Sequence, residues 1–290
     1  MTFKEIHTQF HLKLDAEYGK NEVDAMFFLL SEQFLNKKRI DLSLTPYNML
    51  VDIELSQLTE ALNRLQNNEP IQYIIGTTYF YGLEFKVNQH TLIPRPETEE
   101  LVSLAIESLK PHHVDSDKIN ILDIGTGTGC IAISLAKLIG NAHVFALDIS
   151  SQALKIAQEN AALNAVEVSF IETDILKETN WTENFKNIQF DVIISNPPYV
   201  RELEKAQMKD NVLNFEPTSA LFVSDEDPLI FYRAIAKFAS EYMKPNGLLF
   251  FEINQYLAQE TKKMLEMHNF ETIEIYQDLS GNDRMIKATK

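Results

Sequence analysis

Apolar residues recur every three or four positions through the first seventy residues. Phe3, Ile6, Phe10 and Leu14 fall at helical spacing, as do Val23, Met26, Phe27 and Leu30. Leu55, Leu58, Leu62 and Leu65 make a third stripe and predict a helix from about Ile53 to Gln66. With almost no glycine here, the pattern predicts a small helical bundle over residues 1–70. Glu69-Pro70-Ile71 breaks it. The next stretch, 71–95, reads as extended and aromatic-rich: Tyr73-Ile74-Ile75, Tyr79-Phe80-Tyr81, Gly82, then Phe85-Lys86-Val87. That predicts a β-hairpin connector, closing with Leu92-Ile93-Pro94-Arg95-Pro96-Glu97-Thr98-Glu99 and a helix over about 97–110 that starts near Pro96 or Thr98.

From residue 119 the period alternates between strand and helix. Ile119-Asn120-Ile121-Leu122-Asp123-Ile124 reads as a buried strand, 130–138 as a helix, and Val144-Phe145-Ala146-Leu147 as a strand ending in Asp148. A helix runs from Ser151, taken as its cap, to about Leu163, and Val168-Ser169-Phe170-Ile171 is a third strand ending near Asp174. The apolar run Phe190-Asp191-Val192-Ile193-Ile194 is a fourth strand. A helix near 228–243, a strand over 247–253, a helix over about 255–268 and two closing strands near 271–276 and 284–288 complete it. This alternation predicts an α/β domain over residues 96–290: a mostly parallel sheet with helices on both faces, ending in a hairpin.

Composition narrows the class. The chain has 290 residues, 45% hydrophobic and 23% charged, with a formal net charge of −16. Duplex-binding proteins present a basic face, and the one basic run here is Lys37-Lys38-Arg39, so nucleic acid is disfavoured as a partner. The single cysteine, Cys130, rules out an internal disulfide and fits a reducing compartment. The first residues lack the apolar core of a signal peptide, and no apolar run is long enough for a bilayer. The expectation is a cytoplasmic, monomeric protein without a membrane partner. His7 and His11, four apart on the first helix, have a spacing that can hold a metal. With no cysteine or third histidine nearby, a solvated helix face is the preferred reading, and no metal is expected.

Two stretches carry candidate chemistry. Ser195-Asn196-Pro197-Pro198-Tyr199 follows the fourth strand of the sheet. The two prolines have fixed φ and no N–H, and they restrict Asn196 and Pro197 as well. The Asn196 amide and the carbonyls of Asn196 and Pro197 are left as acceptors suited to an NH2 group, and Tyr199 adds a flat aromatic face. The second stretch is Gly125-Thr126-Gly127-Thr128-Gly129, where absent Cβ atoms let backbone pass close beneath a ligand. A dinucleotide fingerprint would place its third glycine one residue later, which argues against NAD. Asp123 can hydrogen-bond across this loop or face an ammonium group. Asp148 is placed for two ribose hydroxyls, and Asp174 for an adenine amino group.

Asp123-x-Gly125-x-Gly127-x-Gly129 with Asp148 resembles the S-adenosylmethionine site of Rossmann-like methyltransferases. Asn196-Pro197-Pro198-Tyr199 resembles the motif of those that methylate a planar nitrogen. Pro70-Ile71-Gln72-Tyr73-Ile74-Ile75-Gly76, the Leu92 to Glu99 segment, Phe215-Glu216-Pro217 and Asp278-x-x-Gly281-x-x-Arg284 narrow the resemblance to the peptide chain release factor glutamine methyltransferases, the HemK/PrmC family. The resemblance covers nearly all of the chain from residue 70. It implies a seven-stranded class I methyltransferase sheet, a helical substrate-recognition domain over residues 1–70, and N5-methylation of the glutamine in the Gly-Gly-Gln loop of class 1 release factors. It further implies that Asp123, Gly125, Thr126, Gly127, Thr128, Gly129, Asp148, Asp174, Ile175 and Asn196 bind the cofactor, whose product is S-adenosylhomocysteine. Ile175 departs from relatives with an aromatic residue there. Asn196, Pro197 and Tyr199 would carry catalysis, and together with Pro198 they would hold the substrate. Glu252 and Arg284 read equally as a structural ion pair or a substrate contact. The alternative is methylation of a nucleic-acid base amino group such as adenine N6, which would need a basic groove.

Overall fold

The computed structural model describes residues 1–109 and 118–290. They form two compact units, Met1–Gly76 with Lys209–Phe215, and Thr77–Met208 with Glu216–Lys290.

The first unit is helical, with α1 (Phe3–Tyr18), α2 (Lys20–Leu35), α3 (Arg39–Leu44), α4 (Asp52–Gln66) and α5 (Ile71–Ile75). A capping box starts α1: the Thr2 hydroxyl accepts the Glu5 N–H, and the Glu5 carboxylate accepts that of Thr2. Gly19, at φ +80, allows the chain to pass from α1 into α2 within one residue, and Asn36 ends α2 in the left-handed region. The stripes read from the sequence meet in one core: Phe3, Ile6, Phe10 and Leu14 against Val23, Met26, Phe27 and Leu30, with Leu58, Leu62 and Leu65. Tyr73-Ile74-Ile75 is helical rather than extended. Pro70 caps the turn by accepting the N–H groups of Tyr73 and Ile74, Gly76 ends it at φ +84, and Ile74 is buried in the helical core. Burial and the two cap residues outweigh the strand preference of the β-branched run.

The second unit opens with a hairpin, β1 (Thr77–Phe80) and β2 (Leu83–Lys86), turning through Tyr81 and Gly82, both at positive φ. Then follow α6 (Pro96–Leu109), β3 (Ile119–Ile124), α7 (Cys130–Leu138), β4 (Ala142–Asp148), α8 (Ser151–Leu163), β5 (Ser169–Glu172), α9 (Trp181–Phe185) and β6 (Phe190–Ser195). The short pair β7 (Val200–Arg201) and β8 (Phe222–Val223) flanks α10 (Asp210–Phe215), which belongs to the first unit. The chain continues with α11 (Ile230–Tyr242), β9 (Met243–Glu252), α12 (Ala258–Met267), β10 (Thr272–Gln277) and β11 (Asp283–Thr289). Proline starts α6, as expected. Residue 110, the last of the helix read from the sequence, lies outside the described residues. The cap of α8 is Ser150 rather than Ser151: its hydroxyl accepts the Ala153 N–H at 3.2 Å.

The large sheet has seven strands in the order β10-β11-β9-β6-β3-β4-β5. All neighbours are parallel except β11, which is antiparallel to both β9 and β10. Successive residues of each central strand feed opposite cores. Ile121, Val144, Val192 and Phe250 pack with α6 and α7, while Leu122, Phe145, Ile193 and Phe251 pack with α9, α11 and α12. The continuous apolar runs seen in the sequence are therefore strands buried on both faces. β3 and β6 are neighbours although β4 and β5 intervene in sequence, and the crevice beyond their carboxyl ends is the switch point where open α/β sheets take ligands. Among the described residues no helix is long and apolar enough to cross a membrane.

Candidate active site

The two sequence motifs meet at that switch point. Ser195 closes β6 by donating its hydroxyl to the Ile124 carbonyl at the end of β3, 2.6 Å away. Beyond this bond lies a cavity of about 390 Å³, lined among others by Gly125, Gly127, Asp148, Thr173, Asp174, Ile175, Asn196, Pro197 and Pro198. Gln89 to Leu92, Pro217, Ser219, Ala220 and Phe231 also belong to its wall. Asp123, Thr126, Thr128, Gly129 and Tyr199 are not part of the lining.

Asp123 works from behind the glycine loop. Its Oδ2 accepts the Thr126 hydroxyl at 2.6 Å and the Ala132 N–H at 3.3 Å, tying β3 to the loop and to the first turn of α7. Its Oδ1 is buried with no hydrogen-bond partner among the described residues. Burial pushes the Asp123 carboxyl up to about 7, against the lowering by Thr126 and Ala132; the charge of Asp148 adds to the rise. Gly125 and Gly127 have positive φ and open space where a Cβ would stand, so backbone faces the cavity. Gly129 differs: a Cβ there would meet Ile133 Cδ1 at 2.8 Å and Ala157 Cβ at 3.2 Å, so this glycine serves close packing of α7 on α8. Asn160, which the sequence reading missed, is fully buried; its amide donates to the Thr128 carbonyl and to that of Lys86. Cys130 follows the loop and is buried, and burial pushes its thiol up to about 12.

Asp148 ends β4 with each carboxylate oxygen holding one backbone donor, Gly127 N–H on Oδ2 and Ser150 N–H on Oδ1, both at 2.9 Å. Burial raises its pKa, countered by the Ser150, Gly127 and Ile149 N–H groups. One lone pair on each oxygen is left for two hydroxyls. Asp174 accepts the Leu176 N–H on Oδ1 and lies 3.7 Å from the Lys177 ammonium through Oδ2. Ile175 gives its carbonyl to the Trp181 indole and its side chain to the core, so only its cavity-facing surface is available. Thr173, also missed in the sequence, lies in the cavity wall and has a buried hydroxyl with no partner among the described residues.

Around Asn196 the structure adds a chain of hydrogen bonds with no local signature in the sequence. Glu252, at the end of β9, is 2% exposed. Its Oε2 accepts the Thr98 hydroxyl at 2.6 Å and its Oε1 accepts the Tyr199 hydroxyl at 2.9 Å. Burial raises the Glu252 pKa, while Thr98, Tyr199 and the charge of Arg284 oppose the rise. Burial and that carboxylate hold the Tyr199 phenol well above its ordinary value, so it stays a donor. Thr98 has a single proton and gives it to Glu252, so toward Asn196 it can only accept. The Asn196 Nδ2 donates to it at 3.1 Å. The amide orientation is thereby fixed, with Oδ1 turned away from Thr98. Among the described residues, neither Asn196 Oδ1 nor the Pro197 carbonyl accepts a hydrogen bond within the protein. Asn254 secures the far end of the motif by donating to the Tyr199 carbonyl at 3.1 Å.

The remaining motifs are braces. The Glu216 side chain, 1% exposed, accepts the Ile93 N–H at 3.1 Å and pairs with Arg95, joining two segments of the cavity wall. Arg284 pairs with Asp278 at 3.2 Å rather than directly with Glu252. Asp278 also accepts the N–H groups of Ser280 and Asn282 around Gly281, at φ +83, and so shapes the turn between β10 and β11.

Residues 8–76 match the family model described as PrmC N-terminal domain, and residues 103–215 match Methyltransferase small domain. The chain is 50% identical over 289 residues to a release factor glutamine methyltransferase of Flavobacterium psychrophilum, covering 99% of each. It is 41% identical over 273 residues to one of Bacteroides thetaiotaomicron, covering 94% of this chain and 95% of that one. Among solved structures it resembles the T. thermophilus 16S rRNA N2 methyltransferase RsmC in complex with AdoMet and guanosine. The TM-score is 0.53 with 18% identity, over 74% of this chain and 49% of that chain, a likeness of fold alone.

Proposed function

The chain belongs to the release factor glutamine methyltransferases, and we propose that Asn196 and Pro197 hold the acceptor, N5 of the glutamine in a Gly-Gly-Gln loop of a class 1 release factor. It is an S-adenosylmethionine-dependent methyltransferase whose acceptor is a release factor glutamine.

The residues of the cavity fit the cofactor. Asp148 keeps two lone pairs for the ribose hydroxyls, Thr173 and Asp174 offer polar atoms on the adenine side, and the bare backbone of Gly125 and Gly127 leaves room. Behind the loop, Asp123 Oδ1, without a partner among the described residues, is left to accept from the cofactor's ammonium group, whose charge would favour the ionised carboxylate. When bound, S-adenosylmethionine supplies a methyl group activated by its sulfonium sulfur.

The protein must compensate for a poor nucleophile, since the amide lone pair is delocalised into the carbonyl. Asn196 Oδ1 and the Pro197 carbonyl accept the two N–H hydrogens of the glutamine and raise electron density on nitrogen as it pyramidalises. The prolines preorganise both acceptors, and Tyr199 braces the corner through Glu252. Nitrogen gains the methyl and then sheds one proton to solvent. The observation that carries this reading is the fixed Asn196 amide, with Oδ1 unpartnered on the cavity wall. For the helical unit we propose recognition of the release factor, supported by exposed Leu44, Tyr47, Met49 and Ile53. A nucleic-acid base amino group would suit the same acceptors but would need a basic groove, against which the net charge of −16 argues.

Mass spectrometry of a whole release factor, before and after incubation with enzyme and cofactor, tests the reaction. In that assay Asn196→Ala abolishes methyl transfer yet leaves cofactor affinity within a few-fold, whereas Asp148→Ala weakens cofactor binding first. Equal loss of cofactor binding in Asn196→Ala would overturn its assignment to the substrate.

A further inference from the structure

The helical unit brings together three donor atoms that the reaction does not use. His7 and His11 lie one turn apart on α1, and Asp24 faces them from α2. His7 Nε2 is 2.8 Å from Asp24 Oδ1 and 3.1 Å from His11 Nε2, and His11 Nε2 is 3.3 Å from Asp24 Oδ1. These are the only three side chains that converge this way among the described residues. Three ligands of a tetrahedral zinc ion, at about 2.0–2.1 Å from the metal, stand about 3.3 Å from one another.

Proton counting argues against a plain hydrogen-bonded triangle. Each imidazole nitrogen carries one proton or one lone pair in the ring plane. With Asp24 ionised, a proton on His7 leaves the His11 lone pair against the carboxylate. A proton on His11 leaves the His7 lone pair against it, at the shortest edge. Protons on both face each other across 3.1 Å. With both rings oriented as they stand, Nε2 inward, every proton assignment leaves one edge repulsive. A cation at the centre makes all three edges favourable.

The surroundings are those of a metal-binding histidine. His11 Nδ1 is 2.7 Å from Asp15 Oδ1, a carboxylate that fixes the tautomer with Nε2 free. The His7 ring is stacked on Phe27, centroids 4.5 Å apart, which sets its orientation. Two carboxylates, Asp15 and Asp24, lie against the histidine pair, and the charge of Arg39, whose guanidinium lies over the Phe28 ring, also reaches His7. The four side chains are 25–33% exposed, so an ion can enter and a water can complete the coordination. A histidine pair alone argues weakly for a metal; the carboxylate from the second helix changes that balance.

We propose that His7 Nε2, His11 Nε2 and Asp24 Oδ1 bind one zinc-class divalent cation, which clips α1 to α2, with Asp15 holding His11 in place. The test uses the full chain, stripped with chelator. Calorimetric titration with ZnCl2 gives one ion per chain, and the thermal unfolding midpoint rises with added zinc. His11→Gln and Asp24→Asn, which keep side-chain size, weaken binding by at least about tenfold and abolish the zinc-dependent rise. Asp15→Asn weakens binding by about ten- to a hundredfold. Co2+ in the wild-type chain gives the intense visible bands of a four-coordinate site, and His7→Gln loses them. Absence of one-to-one zinc binding by the wild-type chain overturns the proposal, whatever the variants do. So does undiminished binding by a folded Asp24→Asn chain, which would put the ion elsewhere.

Discussion

Asn196 depends for its orientation on a hydroxyl 98 residues away in sequence and, through that, on a carboxylate 154 residues beyond Thr98. Replacing Thr98 with valine removes the acceptor for Nδ2 and frees the amide to turn. We expect kcat to fall by about ten- to a hundredfold with the cofactor Kd unchanged; Thr98→Ser, which keeps the hydroxyl, retains most activity. Parallel stopped-flow and cofactor-binding measurements distinguish this from damage to the cofactor site. A second prediction concerns Asp123. Its carboxyl is raised from 3.8 to about 7 in the folded chain, so below the lower value it costs nothing. As pH climbs from about 4 to about 7 the unfolded chain releases a proton that the native state retains, and stability falls by at most about 4 kcal/mol. Above about 7 the loss levels off. Urea unfolding of the ligand-free chain at a series of pH values shows the stability of Asp123→Asn gaining on wild type over that window and then running parallel. At this scale the sequence was informative where chemistry is compressed into neighbours. Asn196-Pro197 and Asp148 stand out because proline geometry and a strand-end carboxylate have local meaning, and all three line the cavity. Asn160, Thr173 and the role of Thr98 could not be read, nor could the partners of Glu252, because a polar side chain whose partner is distant in sequence leaves no periodic mark.

Glycines in one loop do different work in different elements. Gly129→Ala combines positive φ with a 2.8 Å approach to Ile133 of α7 and a 3.2 Å approach to Ala157 of α8. We expect a loss of about 2–4 kcal/mol, the left-handed backbone cost plus overpacking. Gly125→Ala meets open space, so it costs about 1–2 kcal/mol from backbone alone. Denaturant midpoints of the two variants give the order, and a larger loss in Gly125→Ala would contradict the packing role of Gly129. The motif read from sequence did not separate these roles, because spacing reports where glycines are and not what faces them. Segment 71–75 was misread for a related reason. Tyr73-Ile74-Ile75 has strand-like composition, but Ile74 is buried in a helical core that the sequence does not reveal at that point. Long segments with clear period, such as α1, α4 and the buried strands, were legible because burial on one or two faces leaves its mark on every residue.

Across the whole molecule, charge and topology speak to different questions. A net charge of −16 gives no long-range attraction for phosphates. We expect no retardation of duplex DNA or RNA by micromolar enzyme at physiological salt; retardation there would reopen the base-methylating alternative. Strand order was legible only in outline. Alternation of period predicts a parallel sheet, and closeness in sequence predicts the last hairpin, but nothing local says that β11 enters between β9 and β10. That insertion has a consequence for synthesis. Until the ribosome has released Asp283–Thr289, β9 has an open edge and β10 has no neighbour. The catalytic unit of this enzyme therefore cannot close its sheet in the order in which it is made: β11 has to enter between two strands that precede it in the chain.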